Sequence, residues 1–356
     1  MAMRLNFYLN HLNLTYLMYE RERLQMKKLL VILLVATLTL LTACGSPSAA
    51  PSSAAPSAGD ASSAAPDVQK IKIGLVQMME HPSLDEIREA VLTQLAAEGF
   101  DTTKAVIDYQ NGQGDMGTLN SIAQKFVGDG VDLIIAIATP AAQAAAAATT
   151  DIPIIFSAVT DPVSAGLVGS LEAPDRNCTG TSDAIPTEQI FALADELTPG
   201  IKTYGFLYNQ GESNSVSVIA DAKKALDAKG VKYIETSVVN SGEVTSAAQS
   251  LIGKVDAIFC PIDNTVAYAM PNLAQIAIEA KLPVYVAADS MVNDGGLATV
   301  GVNYTQLGVQ TAQMAAQVLS GKAVADVPVQ VLTQYSTVAN KDTAAALGVD
   351  VSKYIK

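Results

Sequence analysis

From residue 70 onward the chain alternates short runs of β-branched and aliphatic residues with longer stretches whose apolar positions fall three or four apart. KIKIGLVQ (70–77) reads as a strand, and 83–98 comes next as a helix with Leu84, Ile87, Val91 and Leu95 on one face. AVIDY (105–109), a helix near 116–126, DLIIAIA (132–138), an Ala-rich helix near 141–148 and IPIIFS (152–157) continue the alternation. Nearly unbroken apolar strands separated by helices imply parallel pairing with both sheet faces covered.

The rhythm then repeats: YGFLYNQ (204–210), a helix 216–228, KYIETSVV (232–239), a helix near 244–252, DAIFCPI (256–262), a helix 266–280 and LPVYVAA (282–288). Landmarks recur in the same order, with Gly74 and Gly205, and Gly99 and Gly230, each 131 apart. Val131-Asp132 returns as Val255-Asp256 after 124 residues, and Ile152-Pro153 as Leu282-Pro283 after 130. The chain therefore reads as two α/β lobes of one design. Their ligand edges lie at the carboxyl ends of the strands, where helix N-termini also point. The remainder after 298–301 (a helix about 305–320, a strand 329–332 and a short final helix) is too small for a third domain. It should return to complete the lobes and form a multi-strand hinge. The expected division is 69–183 plus about 300–322 for lobe 1, and 184–299 plus about 323–356 for lobe 2.

The first 43 residues carry a different pattern. Met26-Lys27-Lys28 precedes the apolar run LLVILLVATLTLLTA (29–43), which is shorter than the ~20 residues a spanning helix needs. A basic start, an apolar stretch and small residues before a cleavage point read as a secretory signal, with translation expected to begin at Met26. Leu41-Thr42-Ala43-Cys44 resembles the lipobox of bacterial lipoproteins, which implies a lipidated Cys44 as first mature residue. The segment from there to 68 is mostly Ser, Ala, Pro and Gly and reads as a tether with a reach of roughly 25–30 Å.

Charge excludes one class of partner. The chain has 22 Lys plus Arg against 35 Asp plus Glu, a net −13. Removing 1–43 takes away five basic and two acidic residues and leaves −16. A nucleic-acid binder needs a basic footprint that this chain lacks. Cys178 and Cys260 lie on strand-like runs and read as buried thiols rather than a bridge.

Four stretches carry a family resemblance: GLVQMMEHPSLDEIREA (74–90), ATPAAQAA (138–145), FSAVTDPVSAGLV (156–168) and ADSMVNDGGLATVGVNYTQLG (288–308). Together with the lipobox and tether, they are similar to the tryptophan/tyrosine-type substrate-binding lipoproteins of ABC importers, over about 70–348. The resemblance implies a type I periplasmic-binding-protein fold, two flavodoxin-like (Rossmann-like) lobes with parallel sheets closing on a small ligand. It further implies an amino acid of the aromatic class as cargo, permease and ATPase subunits as partners, and a monomer held to the outer face of the cell membrane by its lipid alone.

An amino acid needs donors for its carboxylate and acceptors for its ammonium. Thr139-Pro140-Ala141 ends a strand and opens a helix, where free N–H groups attract an anion; the same placement also fits a plain helix start. Thr160-Asp161 and Asp289-Ser290 end equivalent strands, with Thr160 and Ser290 130 apart. Their carboxylates are candidate ammonium acceptors, or turn residues that bond their own backbone. Gln77, Glu80 and His81 come after the first strand, and Asn209, Glu212, Ser213, Asn214 and Ser215 after its counterpart, which places both groups at the cleft rim. Asp263 and Asn264 stand in lobe 2 where Thr139 to Ala141 stand in lobe 1.

No catalytic or cofactor pattern emerges. His81 is the sole His after the signal, so a His-based metal cluster is out of reach, and neither G-x-S-x-G nor a P-loop occurs. The expectation is a binding protein with no enzymatic activity, no metal and no cofactor. A ligand-sensing receptor for a membrane signalling protein is the alternative, and an exported α/β enzyme a remoter one.

Overall fold

The computed structural model describes residues 70–355. The expectations on 1–68, which are the signal, the start at Met26, Cys44 lipidation and the tether, lie outside the described residues.

Two six-stranded sheets form the framework. The first holds β1 (Ile71–Gln77), β2 (Ala105–Asn111), β3 (Leu133–Ile137), β4 (Ile154–Ser157), β5 (Cys178–Ser182) and β11 (Gln330–Val331), in the order β11-β5-β4-β3-β1-β2. The second holds β6 (Thr203–Asn209), β7 (Lys232–Val238), β8 (Ala257–Cys260), β9 (Val284–Val286), β10 (Ala298–Gly301) and β12 (Ser336–Ala339), in the order β12-β10-β9-β8-β6-β7. The two orders superimpose strand for strand, as the repeated landmarks predict. All pairings are parallel except β12, which runs antiparallel along β10 at the sheet edge.

Helices α1 (Pro82–Ala97), α2 (Met116–Asp129) and α3 (Thr139–Ala148) connect the strands of the first lobe; α4 (Thr187–Leu197) begins the second. There α5 (Ser213–Lys229), α6 (Val244–Leu251), α7 (Asn264–Tyr268), α8 (Met270–Glu279) and α9 (Asp289–Asn293) succeed it. The recurring glycines have a packing cause: a Cβ on Gly74 would lie 2.6 Å from the Phe126 ring, and one on Gly205 2.8 Å from Leu251. Each first strand thus lies too close to a covering helix for any side chain to fit between them.

Three local features differ from expectation. The single helix expected over 266–280 is two, broken at Ala269 ahead of Pro271, whose ring removes an amide and crowds the preceding turn. The fully buried strand β5 and the helix α4 carry no element in the sequence reading. Finally, β11 pairs with β5 of the first sheet, so lobe 1 reclaims the chain as far as Val331 instead of ending near 322. Before that, α10 (Tyr304–Leu319) packs along α1 and over β4, also in lobe 1. The chain crosses between lobes near 183–186, 302–303 and 332–335, and α11 (Lys341–Leu347) closes lobe 2. Cys178 and Cys260 are buried free thiols in different sheets.

Candidate functional site

Between the lobes, where the carboxyl ends of both sheets meet, lies a cavity with about 360 Å³ of empty space, narrow enough that little of it admits a water-sized sphere. Lobe 1 supplies His81, Ser83, Leu84, Thr139, Ala158, Asp183 and Tyr304, and lobe 2 faces them with Asn214, Ile262, Asp263, Asn264, Ala267, Ala288 and Met291.

On the lobe 1 wall, β3 runs straight into α3. Its N-cap, Ala138, sits at φ 80, a conformation costly for a residue with a Cβ, and no side chain caps the helix. Pro140 occupies the first turn. Thr139 Oγ1 is buried and has no hydrogen-bond partner. An uncapped helix start beside an unpartnered hydroxyl is a seat for an anion.

The equivalent start in lobe 2 is filled. Asp263 caps α7 through Val266 N at 2.8 Å, and its other oxygen accepts from Asn209 N at 2.6 Å and Ser215 Oγ at 2.7 Å. Glu212, 2% exposed, covers the next amides: its carboxylate accepts from Asn264 N (3.1 Å), Thr265 N (3.0 Å) and Thr265 Oγ1 (2.9 Å). It also accepts from Asn264 Nδ2 at 2.6 Å and Asn214 Nδ2 at 3.3 Å. Burial, and then the charge of Glu212, push the Asp263 carboxyl up. Asn214 Nδ2 donates to Ile262 O at 2.7 Å, which leaves Asn214 Oδ1 buried without a partner.

Two further groups complete the walls. His81 Nε2 lies 3.1 Å from Asn264 Oδ1, a bridge between lobes, while Nδ1 is buried and unpartnered. Burial lowers the His81 pKa, outweighing the Asn264 bond and the neighbouring carboxylates of Glu212, Asp85 and Asp294, so the ring is held neutral. Asp183 ends β5 at a lobe crossing, 1% exposed, and accepts from Thr160 Oγ1 at 2.9 Å beside Tyr304. Burial pushes its carboxyl up to about 6.

Among the expected site residues, His81, Thr139, Asn214, Asp263 and Asn264 line the cavity. Pro140, Ala141, Asn209, Ser215 and Thr160 are buried just behind it, and Thr160, Ser215 and Asn209 hold lining carboxylates in place. Ser290 meets Ser83 across the lobes. The others do not come to the cavity. Gln77 is buried in a network with Asp85 and Arg88, and Glu80 is exposed. Asp161 accepts from Ser217 Oγ at 2.8 Å in an outer groove between the lobes. Asp289 is half-buried outside the cavity, and one of its oxygens accepts from the amide of Ser290 at 2.8 Å. Asp183 is the group that sequence reading omits from the site; Glu212, expected at the cleft rim, is buried behind the lining residues.

Residues 72–356 match the family model described as ABC transporter substrate binding protein. This chain belongs to that family. A tyrosine-binding protein of Clostridioides difficile (strain R20291) is 42% identical over 290 residues, covering 80% of this chain and 84% of that one. The structure of an ABC domain in complex with L-Trp, from Streptococcus pneumonia, is 40% identical with a TM-score of 0.77, covering 80% of this chain and 96% of its own. A ligand-free, open structure of a substrate-binding protein with adhesive properties from Clostridium difficile is 42% identical with a TM-score of 0.62, covering 80% and 98%. The fold is that of type I periplasmic binding proteins, and the substrate-binding role accords with a cavity between two hinged lobes. Among the described residues no helix is long and apolar enough to cross a membrane.

Proposed function

We propose that this chain is an extracytoplasmic receptor, anchored by lipid at Cys44, that binds an aromatic amino acid such as L-tryptophan or L-tyrosine between its lobes and presents it to the permease of an ABC importer. The observation that carries the amino-acid reading is the opposite polarity of two equivalent helix starts. That of α3 is uncapped and lies beside the unpartnered Thr139 hydroxyl; that of α7 is saturated by Asp263 and Glu212. A zwitterion fits with its carboxylate at α3 and its ammonium among Asp183, Asn214 Oδ1 and His81 Nδ1. Leu84, Ile262 and Met291 offer apolar surface to the side chain.

The ligands named for two relatives of about 40% identity support the aromatic class. The better match to the L-Trp complex than to the open, ligand-free form at similar identity accords with a closed arrangement of the lobes. Ligand would act by binding the closed arrangement more tightly than the open one.

Titration calorimetry of the mature chain against L-tryptophan, L-tyrosine, purines and sugars tests the reading. Binding of an aromatic amino acid at one site per chain is expected; heat from a sugar or purine and none from any amino acid would sink it. Mass spectrometry of the N-terminal peptide from native membranes tests the anchor, with diacylglycerol on Cys44 expected.

A further inference from the structure

Glu212 does not line the cavity, yet it fixes which atoms of its neighbours face it. A carboxylate only accepts hydrogen bonds. Asn264 must therefore turn its Nδ2 toward Glu212, at 2.6 Å, and its Oδ1 toward His81, at 3.1 Å. An amide oxygen also only accepts, so His81 Nε2 carries the proton. In a neutral imidazole one nitrogen donates and the other accepts, which leaves Nδ1 a bare lone pair. Asn214 is oriented the same way: its Nδ2 is held by Ile262 O at 2.7 Å and Glu212 at 3.3 Å, so Oδ1 turns out. His81 Nδ1 and Asn214 Oδ1 are both buried, unpartnered atoms of cavity-lining residues.

We propose that Glu212 is a positioning residue that sets the polarity of the cavity, holding His81 as its Nε2–H tautomer and Asn214 with its carbonyl inward, so that both accept from N–H groups of the ligand. This deepens the amino-acid reading and rests on it for the ligand alone; the relay Glu212–Asn264–His81 exists without one. Specificity arises from the unpaired acceptors. A ligand offering only acceptors at that place leaves two lone pairs facing lone pairs in a buried space, which costs more than a missing contact.

The test is nitrogen-15 NMR of the full chain labelled at histidine. The chain has two His, and H11N leaves His81 alone. At neutral pH the proton is expected on Nε2 with Nδ1 bare, and added L-tryptophan is expected to move the Nδ1 resonance toward its hydrogen-bonded position. In E212A the acceptor that holds Asn264 Nδ2 is gone, and the Asn264 amide is free to present either end to His81. The His81 proton should then be shared between Nε2 and Nδ1, and affinity for L-tryptophan should fall roughly 10-fold, the cost of an acceptor no longer held in place. A proton on Nδ1 in the unaltered chain overturns the proposal, as does an E212A variant with the His81 tautomer and affinity unchanged. Should E212A not fold, the tautomer of the unaltered chain decides alone. If Nε2–H is found but no aromatic amino acid binds, the relay stands and the proposed ligand falls.

Discussion

The two lobes repeat one architecture, yet they prepare the same helix start in opposite ways. After β3, helix α3 begins with a strained Ala138, no capping side chain and a buried hydroxyl without a partner. After β8, α7 begins with every early amide engaged by a buried carboxylate: Val266 N by Asp263, Asn264 N and Thr265 N by Glu212. Helix α7 would stand unchanged in an empty protein, whereas α3 leaves its positive end to whatever enters. A duplicated fold thus acquires polarity: lobe 1 keeps the anion seat that its fold provides, and lobe 2 neutralises its own and, through Glu212, turns the Asn214 carbonyl and the His81 ring nitrogen of lobe 1 inward. A zwitterion has one orientation across such a cleft, and a neutral sugar gains nothing from the difference.

The most direct way to break the asymmetry is to fill the empty seat. Thr139→Asp places a carboxylate in the first turn of α3, at nearly the same side-chain volume. Binding of L-tryptophan should fall at least ~100-fold, because two carboxylates cannot share one buried helix end. Calorimetry measures it, and circular dichroism checks that the fold persists. Unaltered affinity would show that the carboxylate lies elsewhere and the comparison has no bearing on ligand.

Asp183 tests the acceptor side and separates binding from stability. Its carboxyl is pushed from the usual 3.8 up to about 6 by burial, so the folded state holds this proton more tightly than the unfolded chain does. Stability of the ligand-free protein is therefore lost as pH rises through the window from 3.8 to about 6, where the unfolded carboxyl ionises first. Asp183→Asn should remove that loss. At pH 8 it should be more stable by on the order of 2–3 kcal/mol, with the gain vanishing near pH 4. Amino-acid affinity should drop roughly 10- to 100-fold, since an amide cannot balance an ammonium. Denaturant melts at both pH values give the first quantity and calorimetry the second. A variant less stable at pH 8, or one that binds as well as the unaltered chain, would remove Asp183 from this role.

The same contrast explains which features are legible in the sequence. The lobes are, because apolar periodicity and tight glycines such as Gly74 and Gly205 are local signals tied to sheet–helix packing. The α3 start is legible because a strand running into Thr-Pro-Ala has few other readings. Asp183 is not, because it ends β5, whose sequence is CTGTS. A fully buried strand of that composition is satisfied only by distant partners: Thr179 donates to Val327 O at 2.6 Å, and Thr181 lies 2.8 Å from Thr311 Oγ1. With the strand unseen, its terminal carboxylate has no place, and Asp289 stands in for it. In the structure Asp289 opens α9 outside the cavity, while its neighbour Ser290 reaches Ser83. Glu212 reads as one of several polar residues at the cleft rim, not as a buried one. Its burial arises only when the loop after β6 meets the loop after β8, a contact between segments 52 residues apart.

A smaller effect tests whether the asymmetry acts alone or together with closure. Ser217 on α5 of lobe 2 donates to Asp161 of lobe 1 at 2.8 Å, in the outer groove rather than the cavity. This bond joins the lobes only when they are together, so it favours the closed arrangement without touching a ligand seated at α3. Ser217→Ala removes about 0.5–1 kcal/mol from that arrangement, and affinity for any ligand of the closed form should weaken only about 2- to 5-fold. Small-angle scattering of the ligand-free variant should show a larger mean radius, with the difference abolished by saturating L-tryptophan. A 100-fold loss would mean that Ser217 belongs to the binding surface itself, and the division between a polar cavity that chooses the ligand and an outer latch that sets the closing equilibrium would be wrong. No change in either radius or affinity would leave closure to the cavity contacts alone, with His81–Asn264 and Ser83–Ser290 as the bonds that hold the lobes.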